Sequence, residues 1–146
     1  MNVVERIIGL DYGSKRIGVS LSDPLGIIAS PIDALINDEK LFSHLKELIR
    51  KECVKLFVVG MPLNLKGEEA FKAEEVNEFI ERLKLEVGIA ITTWDERFTT
   101  SMAQQTLREM GVKKKDRQKK DGRIDSMAAA IILQDYLNST KHSRSC

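Results

Sequence analysis

Four acids stand where ligands and substrates tend to gather. Asp11 closes an apolar run (ERIIGLD), Asp95 and Glu96 follow a second (IAITTW), and Asp125 lies just before an Ala-rich amphipathic stretch. In open α/β sheets, ligands collect outside the carboxyl ends of parallel strands, so these runs would bring Asp11 and one of Asp95 or Glu96 to a common edge. Neighbouring strand residues point to opposite faces; only one of that pair can join Asp11, and alternation alone leaves the choice open. Carboxylates converging without His or Cys form a hard-oxygen site suited to Mg²⁺ or Mn²⁺. Such a site acts on phosphate oxygens, and two ions about 3.5–4 Å apart would activate a water and stabilise the leaving oxygen of an in-line displacement. Each acid also has a plainer reading, because a strand-terminal Asp opens a turn and a helix-start Asp complements the helix dipole.

Cations sit beside these acids. Gly13 and Gly18 frame Lys15 and Arg16, a turn where backbone could approach a phosphate and side chains could hold it. A tight hairpin with solvated charges has the same pattern. Residues 113–123 (KKKDRQKKDGR) form the strongly cationic block, including Lys114, Lys115, Lys119 and Lys120, and end next to Asp125. Beside a metal site these lysines would grip a polyanion and give salt-dependent binding, whereas far from one they would be a solvated loop. His44 in an amphipathic segment and His142 in the tail have no nucleophile arranged around them and read as surface residues. Trp94 borders the site strand, where it would either stack on a base or belong to the core rim.

The elements that must position these groups follow from periodicity. Residues 5–11 and 16–22 read as a hairpin, 27–32 as a third strand, and 55–60 (KLFVVG) as a parallel strand covered on both faces. Leu41, Leu45, Leu48 and Ile49 recur at helical spacing from Asp38 to about Cys53. Phe71, Val76, Phe79, Ile80 and Leu83 mark a second helix with a Glu-rich outer side, and 89–94 a fifth strand. A helix is expected from Thr99 or Thr100 to Met110, stopped by Gly111, and a last one over 124–136. The order β-β-β-α-β-α-β-α-α implies one mixed α/β sheet flanked by helices.

The 146 residues and 16.5 kDa suffice for one core and exclude most two-lobed enzymes. We expect a single domain over 1–138 and a flexible polar tail over 139–146. A net charge of +1 gives no bulk attraction for polyanions, so any affinity for nucleic acid is local. Cys53 and Cys146 make neither a disulfide framework nor a metal knuckle, and the short charged N-terminus is neither signal peptide nor membrane span, so a cytoplasmic protein that does not engage membranes is expected.

Together GLDYGSKRIGVSLSD, VVGMPLNLKG, DERFTT and KKDGRIDSMAAAIILQDYL resemble the YqgF/RuvX-like family, whose members are described as Holliday junction resolvases or as nucleases trimming precursor small-subunit ribosomal RNA. The resemblance runs from Ile7 to about Tyr136. It implies a ribonuclease-H-like fold with sheet order 3-2-1-4-5 and strand 2 antiparallel. It also implies catalytic, metal-holding acids at Asp11, Glu96 and Asp125, and so Glu96 in place of Asp95. By the same resemblance Gly13, Lys15 and Arg16 shape the turn near the scissile phosphate, Asn64 and Gly67 lie on the loop after the fourth strand, and Arg97, Thr99 and Thr100 line the site. Nucleic acid is the implied partner, RNA in preference to DNA. A homodimer would suit a four-way junction and a monomer single-strand trimming. Two other classes compete. An actin-like ATP-binding phosphotransfer domain begins with the same D-x-G turn but needs two such folds, and a nucleic-acid-binding module would keep the fold without turnover.

Overall fold

The computed structural model describes residues 5–62, 68–95 and 122–144 of the chain. Their elements are β1 (Arg6–Asp11), β2 (Arg16–Ser22), β3 (Ala29–Ile36), α1 (Leu41–Glu52), β4 (Val54–Met61), α2 (Glu68–Glu86), β5 (Ala90–Asp95) and α3 (Arg123–Arg144). The strands form one sheet in the order β3-β2-β1-β4-β5. β2 is antiparallel to both β1 and β3, while β1–β4 and β4–β5 are parallel, as the resemblance implied.

Alternation along the central strands assigns the two faces. Ile8 and Leu10 of β1, Ile17 and Val19 of β2, and Phe57 and Val59 of β4 are buried with Leu41, Phe42 and Leu45 of α1 and Val76, Phe79, Ile80 and Leu83 of α2. The opposite parity, Ile7 and Val58, packs with Ile132, Leu133 and Leu137 of α3. Strands covered on both faces read as unbroken apolar runs, which is why β1 and β4 stand out in the sequence.

Several boundaries differ from expectation. β3 begins at Ala29 and continues to Ile36, because it is the half-exposed edge strand and its polar residues and Pro31 hide its length from an apolar count. α1 starts at Leu41, since Asp38 is spent on a turn: its carboxylate accepts from Lys40 N at 2.9 Å and its carbonyl from Leu41 N at 3.1 Å. α1 ends at Cys53, whose φ of 54° is the left-handed C-cap conformation and whose N–H donates to the Ile49 carbonyl. α3 runs past Tyr136 to Arg144, with Leu137 buried and the Ser139 and Thr140 hydroxyls donating to carbonyls three residues back. The helix expected over 99–110 lies outside the described residues.

Candidate active site

The candidate site lies at the carboxyl end of β1, on the face covered by α3. Asp11 shares the parity of Ile7 and Gly9, the β1 residues that meet α3, so strand alternation turns it to the α3 face. Asp11 is paired with Gly18 of β2, about 5 Å away between α-carbons. Gly18 in turn lies directly beneath the first turn of α3: a Cβ there would overlap the Asp125 carbonyl oxygen and carbon and stand 2.9 Å from Ser126 N. Asp11 and Asp125, 114 positions apart in sequence, thereby both adjoin a single glycine, Asp11 as its strand partner and Asp125 by its backbone above it.

That contact is made by small residues. Gly9 would place a Cβ 2.8 Å from both the Ala129 carbonyl and the Leu133 Cβ, so the helix rides against bare backbone. The Ser20 hydroxyl donates to the Ala129 carbonyl at 2.8 Å. At a register shift in the β2–β3 pairing, the buried Val19 N–H donates to Ser126 Oγ at 3.2 Å. Two buried serines thus fix the height and phase of α3, and with them the position of Asp125.

Arg16 occupies the same face one step beyond Gly18. Its Nε lies 3.6 Å from Asp125 Oδ2, too long for a hydrogen bond but close enough for charge compensation. The nitrogen is buried and without a hydrogen-bond partner among the described residues. Gly122, at φ +80°, lets the chain enter α3 against Ala34 and the Arg16 side chain. Lys15 is exposed on the intervening turn. That turn is held from below by Asn37, whose side-chain N–H donates to the Gly13 carbonyl at 3.0 Å and whose backbone N–H donates to the Lys15 carbonyl at 2.9 Å.

Comparison with known proteins gives the family. Residues 5–139 match the family model described as RuvX, Holliday junction resolvase. The chain belongs to the RuvX family. A relative from Sulfurihydrogenibium sp. (strain YO3AOP1), under the provisional name of pre-16S rRNA nuclease, is 45% identical over 96% of this chain and 94% of its own length. Another with the same name, from Desulforamulus reducens, is 43% identical over 92% of this chain and 97% of its own. Among solved structures, T. thermophilus RuvC in complex with a Holliday junction substrate is similar with a TM-score of 0.57 and 13% identity, covering 94% of this chain and 96% of that one, a likeness of fold.

Within the RuvX fold the parity of β5 places Asp95. Asp95 pairs with Met61, which packs against the core under α1 and α2, so Asp95 is directed to the face opposite Asp11. Trp94, of the other parity, packs edge-on against Tyr136 of α3 with ring centroids 6.1 Å apart, so it belongs to the core rim. His44 is exposed, as expected. Glu96, Arg97, Thr99, Thr100, Asn64, Gly67, Lys114, Lys115, Lys119 and Lys120 lie outside the described residues. Gly18 has a different role from the phosphate-facing one that its place in the turn suggested, because what approaches it is the protein's own helix.

Sequence reasoning passed over Ser20, Ser126 and Asn37. Small polar residues in strands and helix starts carry no periodic signal, and their partners are as many as 109 positions away. Only the run of Gly and Ser at one parity of β2, Gly18, Ser20 and Ser22, could have pointed to a helix packed closely over that strand.

The donors fit a hard divalent cation. Asp11 and Asp125 present oxygen ligands on one face at one rim, and a guanidinium already compensates Asp125 there. Among the described residues no group of three or more His, Cys, Asp or Glu is assembled.

Proposed function

We propose that this chain is a divalent-metal-dependent nuclease that hydrolyses phosphodiester bonds in processing the 5′ end of pre-16S rRNA, and so works in the cytoplasm. The observation that carries this reading is that Asp11 and the first turn of α3, with Asp125, both adjoin Gly18 on one face of the sheet. The names of relatives at 40–45% identity over nearly the whole chain support ribosomal RNA as the substrate.

Asp11, Asp125 and Glu96 would hold Mg²⁺ or Mn²⁺, with Asp11 central. The parity of Asp95 supports Glu96 as the third ligand. The bound metal, as a pair of ions in our reading, would acidify a water and neutralise charge on the leaving oxygen. The chain's own residues do the positioning: α3 sets Asp125 through Ser20 and Ser126, and Asn37 holds the 13–15 turn beside Asp11. Arg16, paired with Asp125 before metal arrives, is placed to meet a substrate phosphate once that carboxylate is engaged. Lys15, Arg97 and the lysines 114, 115, 119 and 120 would track the backbone, with Gly13, Asn64, Gly67, Thr99 and Thr100 shaping the surrounding loops.

Cleavage of four-way DNA junctions is the second reading, favoured by the description of the family model. A panel of precursor 16S 5′-end RNA, single-stranded RNA and a synthetic four-way junction, each with Mg²⁺, Mn²⁺ or chelator, separates the two. The reading predicts metal-dependent trimming of the precursor that Asp11→Asn abolishes while circular dichroism is unchanged. Junction cleavage without precursor trimming would favour the second, and full activity of Asp11→Asn would refute both.

A further inference from the structure

At the same rim, but on the opposite face of the sheet, a cavity of about 160 Å³ opens between the end of β1, the β3–α1 turn, α1 and α2. Tyr12, the residue after Asp11, forms its inner wall with Phe42 and Phe79. The Tyr12 and Phe79 rings lie 5.1 Å apart and tilted, and Phe42 stacks on Phe79 at 6.1 Å. Arg82 covers the Phe42 ring at 4.8 Å. Glu75 and Glu78, on α2 just before Phe79, line the cavity together with Asp38 and Arg82, and neither glutamate has a hydrogen-bond or ion-pair partner among the described residues. The aromatic walls are fixed by the core below them, since Phe79 and Phe42 belong to it.

We propose that this cavity receives an unstacked, amino-bearing nucleobase of the substrate strand, guanine above all, held between the part-exposed Tyr12 ring and the Glu75 carboxylate. The proposal rests on the reading of the chain as a nuclease of single-stranded RNA. Three features define the occupant. A cavity of about 160 Å³ takes one six-membered ring, so a purine enters by its amino-bearing ring and leaves its five-membered ring at the mouth, and aromatic side chains are the usual platforms for splayed-out RNA bases. Carboxylates accept hydrogen bonds and do not donate, so they repel the phosphate backbone and select base edges that carry N–H₂ groups. Guanine presents its N1–H and N2–H side by side to one carboxylate, cytosine and adenine present a single amine, and uracil none. Since Tyr12 adjoins Asp11 in the chain, a base seated here would set which phosphate lies at the carboxylates, so the cavity would fix the cleavage position.

The test is binding without metal, so that nothing is cut: uridine pentanucleotides with U, G, C or A at the centre, followed by fluorescence anisotropy in chelator. The wild-type protein is expected to bind the G-centred strand about tenfold more tightly than oligouridine, with C and A between. Glu75→Gln, isosteric and half-exposed, should erase that preference and leave oligouridine affinity unchanged; Tyr12→Leu should weaken the preference by loss of stacking. Thermal melting checks that each variant folds. Equal affinity for all four strands, or a guanine preference that survives Glu75→Gln combined with Glu78→Gln, would overturn the proposal. So would an arginine-rich peptide whose binding Glu75→Gln abolishes in the absence of any base preference, which would make the cavity a protein-docking site. If no strand binds without metal, the nuclease reading is decided by the cleavage panel with Mg²⁺ or Mn²⁺, and titration with guanosine monophosphate, followed by NMR at the Tyr12 and Phe79 rings, decides the cavity separately, absence of any shift overturning the proposal.

Discussion

Gly18→Ala is the sharpest probe of how the two acids are brought together. Gly18 is not in the left-handed region, so alanine meets no backbone penalty there and the whole effect is steric. The new methyl would overlap the Asp125 carbonyl, a backbone group that cannot swing aside as a side chain can. Restoring ordinary contact near 3.5 Å requires the first turn of α3 to retreat by roughly 1 Å or more. Overpacking of this kind costs about 1–3 kcal/mol, and the retreat would also stretch the 3.2 Å bond from Val19 N–H to Ser126 Oγ past its useful range. A catalytic group misplaced by about 1 Å costs on the order of 10²-fold in rate. Urea unfolding and cleavage at saturating metal measure the two effects on one preparation. Gly88→Ala is the control, because a methyl there meets nothing within 4 Å. If Gly18→Ala unfolds within about 0.5 kcal/mol of the wild type, as ordinary surface changes do, and cleaves at the wild-type rate, then α3 does not set Asp125 by close approach and the reasoning is wrong.

Three further perturbations follow from the same geometry. Ser126→Ala leaves the buried Val19 N–H without its side-chain acceptor and should destabilise by about 1–3 kcal/mol in urea titration. Arg16→Met removes the cation beside Asp125, so calorimetry should show Mn²⁺ binding tightened by up to about fivefold, the range of a part-exposed ion pair, while RNA affinity falls. Asp135 has a buried Oδ2 with no hydrogen-bond partner among the described residues, and burial raises its carboxyl above the usual 3.8. The folded state therefore binds this proton more tightly than the unfolded chain, and ionised Asp135 costs stability as pH rises from 3.8 through its raised value. Asp135→Asn should melt higher than the wild type at pH 7, and the gain should vanish below the unfolded value; no gain at pH 7 would contradict this.

What the sequence disclosed was whatever repeats along one element. The apolar runs of β1 and β4 and the helical spacing of Leu41, Leu45 and Leu48 marked their elements because each buries a continuous face. Asp11 and Asp125 were visible as acids at element ends, and the family motifs supplied the sheet order that periodicity alone could not. What stayed hidden depends on partners distant in sequence. Gly18 looked like part of a phosphate turn until the helix above it was in place. Ser20 and Ser126 look like ordinary polar residues until their bonds to Ala129 and Val19 are seen. That Asp95 faces away from Asp11 depends on which face of β5 meets α3, a fact of packing shown by Met61 on one side and Tyr136 on the other. β3 was shortened because edge strands lack the apolar signal of buried ones.

The central claim is that Asp11 and Asp125 serve one metal site on the α3 face of the sheet. Anomalous scattering from Mn²⁺-soaked crystals tests it directly. The account predicts a peak bridging the two carboxylates, at about 2.0–2.2 Å from their oxygens as hard divalent ions require, and its loss in Asp11→Asn. A peak bound elsewhere, or Mn²⁺ held by one acid with the other turned away, would contradict it.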